Sequence, residues 1–175
     1  MDLPTANLLA ALLSSCAGIT LAVWYVAPGL RKQPFADALA VLVWVQVFRY
    51  VALQIFSAAD VGGLDASSSA QRAIAFGDLA TAALALVAVW SLRRPLPGAR
   101  TLAWLVAIVG AADLVNATVV GIDNKLTETA TDWSWFILAF YVPFLWVATV
   151  MLVWQLITRR AERLRTPTAT APTTA

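Results

Sequence analysis

Five runs of apolar residues, nearly free of charge, follow one another along the chain at about 8–27, 36–58, 70–92, 101–122 and 133–158. Short polar, charged or Pro/Gly-containing stretches separate them. In none of the runs do polar residues return with the 3.6-residue period of a half-exposed helix. A helix needs about 20 mostly apolar residues to cross a membrane, and each run supplies them. The pattern predicts an all-α, polytopic membrane protein: a bundle of five transmembrane helices over residues 1–165. Residues 166–175 are Thr, Ala and Pro with nothing to bury, and read as a disordered tail.

The boundaries carry their own signals. Pro28-Gly29 is expected to end the first run, before Arg31 and Lys32. Pro34 suits the first turn of the second helix, where Asp37 is expected to face the helix N-terminus and Arg31 and Lys32. Residues 57–69, with Gly62-Gly63 and a Ser run, form a turn-rich linker. Pro95-Leu96-Pro97-Gly98 breaks the chain again, and 123–132 reads as a mixed-charge loop. Pro143 is expected to kink the fifth helix and free a carbonyl one turn earlier. The Arg-rich stretch 159–165 reads as that helix continuing along the membrane surface.

Composition narrows the chemistry. The chain is 61% hydrophobic and only 13% charged, with eight Trp, which fits the membrane class. It has no His, so His-ligated haem, His-bearing metal sites and Ser–His or Cys–His nucleophile pairs are excluded. The single Cys, Cys16, can form no intrachain disulfide and reads as a small packing residue. No enzyme, cofactor or metal is expected. The first residues carry Asp2 and no basic residue, which speaks against a signal peptide. Leu13-Ser14-Ser15-Cys16 resembles a lipoprotein cleavage box, but more apolar chain follows it. The first run is therefore read as a retained span.

Charge fixes an expected orientation. With five spans, Arg31, Lys32, Arg93, Arg94, Arg100, Arg159, Arg160, Arg163 and Arg165 fall on one side, and only Arg72 and Lys125 on the other. The positive-inside rule then puts the N-terminus outside and the C-terminus in the cytoplasm. Trp24, Trp90, Trp104 and Trp154 near one face, and Trp133 and Trp135 near the other, suit the interfaces. The expected location is the bacterial cytoplasmic (inner) membrane.

Three charges lie deep inside the spans, away from their ends. An ionisable group at membrane depth costs about 3 kcal/mol or more and marks a candidate site. Counting about 1.5 Å per residue, Arg49, Asp78 and Asp113 each lie about 12–13 Å from the outer ends of their helices. Three different helices thus bring charge to one level. Gln46 and Asn116 stand three residues from Arg49 and Asp113 and are expected on the same helix faces. Tyr141, Ser14, Ser15 and Cys16 reach a similar depth. Ala73, Gly77, Thr81 and Ala85 form a small-residue stripe that lets a neighbouring helix approach. One Arg against two Asp leaves an excess negative charge, the arrangement of a proton- or cation-binding site.

Phe48-Arg49-Tyr50, Gly77-Asp78-Leu79, Gly110-x-x-Asp113-Leu114 and the aromatic stretch from Trp135 to Pro143 resemble a family of small bacterial five-helix integral membrane proteins with no assigned function. The likeness runs from about Phe48 to Leu156. It implies the five-helix fold and draws attention to Arg49, Asp78 and Asp113. Members often carry an Asn where this chain has Ala107 and a His where it has Thr149.

The functional expectation is a transporter or binding protein, with a small solute, cation or proton held by Arg49, Asp78, Asp113, Asn116, Gln46 and Tyr141. The alternative is an accessory or assembly subunit whose ion pairs only set helix register. Expected partners are the lipid bilayer, the small solute or proton, and further copies of the chain. Nothing points to nucleic acid.

Overall fold

The computed structural model describes residues 2–56, 68–94, 96–129, 132–162 and 164. All regular structure among them is helical. Five helices are long and apolar enough to cross a membrane. We number the elements α1 (Leu3–Arg31), α2 (Phe35–Val47, continued by a 3-10 stretch, Phe48–Phe56), α3 (Ser68–Arg93), α4 (Ala99–Asp123), a short α5 (Leu126–Thr129) and α6 (Trp133–Thr158). The linker expected at 57–69 lies mostly outside the described residues. Gly98 makes the expected break before α4 in a left-handed conformation, φ 87°, which glycine adopts without steric cost.

Both helix-interior prolines are absorbed rather than disruptive. Pro28 does not end α1. The turn before it, Ala22–Val26, widens to a π-helix in which the Ala27 N–H donates to Ala22 O. The same device precedes Pro143: Ile137–Tyr141 is π-helical, and the Val142 N–H donates to Ile137 O. Proline lacks an N–H and its ring crowds the carbonyl four residues back. A turn with one extra residue re-partners the backbone and relieves that crowding.

The helices α2, α3, α4 and α6 pack into a four-helix core, with α3 between α2 and α4 and with α6 against α2 and α4. Alanines make the approach close: Ala85 and Ala88 on α3, Ala103 and Ala107 on α4 are fully buried. Leu39, Leu42, Val43, Val106, Leu152 and Leu156 fill the space between them. By contrast α1 stands at the edge, packed chiefly on α6 and α5. Its Cys16 is exposed, contrary to the expected packing role. Large apolar side chains such as Leu12, Trp24, Ile108 and Val150 face outward, as lipid-facing residues do in a membrane bundle.

The basic helix ends meet at one end of the bundle. Arg31 lies 4.8 Å over the Trp154 ring, and Arg100 and Arg159 lie 5.1 and 5.2 Å over Phe35. Arg159 donates to Leu30 O and Gln33 O at 3.2 and 3.0 Å and pairs with Glu162 at 2.7 Å. The expected helical continuation past Thr158 is therefore replaced, over the described residues, by a turn that ties α6 to the α1–α2 connection. Asp37 meets Arg93 at 4.0 Å, across to α3, and not the Arg31 and Lys32 expected from its neighbourhood.

Candidate functional site

At Phe48 the helix tightens from α to 3-10 geometry, for nine residues, well beyond the usual three or four. Arg49 sits at the start of this stretch. Its side chain is 0% exposed, and its donors reach four positions on α2, α3 and α4. Nε donates to Asp78 Oδ1 at 2.5 Å and Nη2 to Asp113 Oδ2 at 2.5 Å. Nη1 donates to Gly110 O at 3.0 Å and to Gln46 Oε1 at 3.4 Å. Gln46 Nε2 donates in turn to Thr149 Oγ1 at 3.2 Å, and Thr149 Oγ1 to Leu145 O at 2.8 Å. One guanidinium thus links α2, α3 and α4, and Gln46 extends the network to α6.

Nε and Nη2 form one edge of the guanidinium, the edge that ordinarily grips a single carboxylate with both its oxygens. Here two carboxylates share it, one oxygen each. Like charges so close repel, and the surrounding core supplies little screening. One guanidinium and two carboxyl groups thus share this layer.

Two glycines make room for the cluster. A Cβ on Gly77 would fall on the Asp113 carboxylate. On Gly110 it would lie 3.1 Å from Arg49 Nη1 and 3.3 Å from Thr81 Cγ2. Thr81, one turn after Gly77, is fully buried and bonds back to Gly77 O at 3.0 Å. Of the expected small-residue stripe, Gly77, Thr81 and Ala85 face neighbouring helices, whereas Ala73 is exposed.

Beside the cluster lies a cavity of about 670 Å³ that runs from the non-basic end past mid-depth along α1 and α6. Arg49 and Asp78 form part of its wall, as do Tyr141, Ser15, Thr118 and Asn7. The rest of the lining is mostly apolar and comes from α1, α4 and α6, with Ala52 and Gln54 from α2, Ile74 from α3 and Leu126 from α5. The side chain of Asp78 is 12% exposed and that of Asp113 8%. Asp113 does not line the cavity. Tyr141 lines the cavity as well, but its hydroxyl is buried, with almost no surface open to the cavity and no hydrogen-bond partner.

The structure therefore brings Arg49, Asp78, Asp113 and Gln46 into one network and sets Tyr141 on the adjoining cavity wall. It does not bring Asn116 there: that residue is exposed. Three residues along a helix turn a side chain about 60° short of a full circuit. From Asp113, already at the edge of the buried face, that carries Asn116 outside. The sequence reading passed over Thr149 and the carbonyl of Gly110. Thr149 had left one signal, as a position where the chain differs from the family it resembles.

An all-helical bundle with five membrane-length helices, tied by an Arg–Asp–Asp network among three of them, is the class that fold and site define. The chain belongs to the family described as a domain of unknown function (DUF8737), which matches residues 6–157. No curated protein and no solved structure matches it.

Proposed function

We propose that this protein is a multi-pass protein of the bacterial cytoplasmic membrane, N-terminus outside, that binds a small solute, cation or proton at the Arg49–Asp78–Asp113 cluster. The observation that carries this reading is the cavity: Asp78 and Arg49 stand in its wall, and its lining extends to Asn7 and Trp133 at the non-basic ends of α1 and α6, the outer side under the positive-inside rule. A charge cluster that served helix packing alone would need no open volume beside it. Toward the basic end the core closes with Leu39, Val43, Leu152 and Leu156, so the reading favours binding from the outer side over a standing passage. Asp78, at the cavity wall, is the group that meets the bound species; Arg49 and Asp113 hold it in place.

A second reading, an accessory or assembly subunit with a purely structural cluster, draws support from the four protein acceptors that take up four of the five Arg49 N–H donors. Thermal unfolding in detergent separates the two. If Asp78 serves binding, Asp78→Asn is as stable as wild type or more so, because it removes the excess charge. Asp113→Asn, wedged over Gly77, is then clearly less stable. Equal collapse of both variants would favour the structural subunit and count against binding.

A further inference from the structure

Resting on the binding reading, we infer that the occupant of the cavity is an amphiphile drawn from the bilayer, with an apolar body and a cationic, hydrogen-bond-donating head that meets Asp78. Four observations converge on this chemistry. A volume of about 670 Å³ lies in the range of small-molecule sites. Its walls are almost wholly apolar, so a hydrated ion or sugar would lose its water there without replacement. Its rim is apolar too: Leu8, Ile19 and Val23 of α1, Ile122 of α4 and Val150 of α6 line the cavity while each is more than half exposed. An opening framed by such residues on membrane-length helices faces lipid rather than water.

The head group follows from the polar end. Arg49 commits Nε, Nη1 and Nη2 to Asp78, Asp113, Gly110 and Gln46, and its side chain is buried. The ionisable group presented to the cavity is thus Asp78, an acid. A carboxylate or phosphate head would be met by an acid of its own sign. A primary ammonium would meet a group of opposite sign and donate to the Asp78 carboxyl.

The test uses the full chain in lipid nanodiscs and three probes of one chain length: ω-bromoundecylamine, ω-bromoundecanol and ω-bromoundecanoic acid. Bromine quenches tryptophan on contact, and Trp133 and Trp146 line the cavity. The inference expects saturable quenching by the amine at the lowest concentration, then the alcohol, then the acid. Ala117→Phe, which fills the cavity from α4, abolishes the saturable component. Asp78→Asn weakens the amine about tenfold or more, the loss expected for one charged hydrogen-bond partner, and leaves the alcohol nearly unchanged. Acid quenching as well as or better than amine overturns the head-group assignment and leaves the binding reading standing. Quenching by all three that does not saturate, or that Ala117→Phe leaves unchanged, overturns the amphiphile itself. The binding reading is judged separately by the unfolding of the Asp78 and Asp113 variants, which needs no ligand.

Discussion

Asp78 and Asp113 accept hydrogen bonds from the same edge of one guanidinium, yet their surroundings differ. Asp113 is pressed onto the backbone of α3, in space that exists only because residue 77 has no side chain; Asp78 borders open volume. Gly77→Ala should therefore act through Asp113, forcing its carboxylate off Arg49 Nη2. Overpacking of this kind costs about 1–3 kcal/mol. The measurement is the thermal midpoint in detergent, with Gly29→Ala as the control, since nothing lies within 4 Å of a Cβ placed there. A Gly77→Ala midpoint as high as the control's would show that the wedge carries no load. Much of this network was legible in the sequence because charge at membrane depth is rare and three charges shared one depth. Depth along a helix, however, says nothing about rotation around it. That is why Asn116, at the right height, lies outside the network, and why the difference between Asp78 and Asp113 could not be read from spacing.

At the scale of elements, the apolar runs located all five long helices, because length and hydropathy decide what can span a bilayer. Their ends and interiors depend on contacts made elsewhere. Pro28 and Pro143 read as a stop and a kink, and both prove to follow π turns, which no local pattern announces. The 3-10 stretch after Phe48 is equally silent in an apolar sequence. The end of α6 is set by Arg159, whose guanidinium reaches carbonyls more than a hundred residues away in sequence. Glu162 holds that guanidinium from the other side, and the hydrogen bond from Arg159 keeps its carboxyl below its ordinary value of 4.5. A carboxyl lowered in this way adds stability that is present above its unfolded value and lost as pH falls through the folded one. Because Glu162 is fully solvent-exposed the effect is small. Wild type should unfold at slightly higher temperature than Glu162→Gln near neutral pH, and the two should converge below about pH 4.5. A difference that persists or grows in acid would contradict the assigned partner.

For the whole molecule, the division of labour runs from one end to the other. The basic end is tied by Arg159, Arg100 and stacked aromatic rings and filled by a dense alanine- and leucine-rich core. The opposite half holds the charged layer, and from it the cavity runs past mid-depth, closed on one side by the loosely packed α1. The sequence could reveal the charged layer but not the cavity, which is a gap between helices and has no residues of its own. The account rests on Arg49 being locked to Asp78 at the cavity wall, and nuclear magnetic resonance of the arginine side chains tests that lock directly. In wild type, one arginine Nε–H should exchange with solvent far more slowly than the rest, including that of Arg159, which donates to the half-exposed Glu162. That resonance should vanish in Arg49→Lys, shift strongly in Asp78→Asn, and survive in Asp113→Asn, whose carboxylate binds Nη2 instead. If every arginine Nε–H exchanges at the rate of exposed side chains, Arg49 is not held as described and the proposed site falls with it.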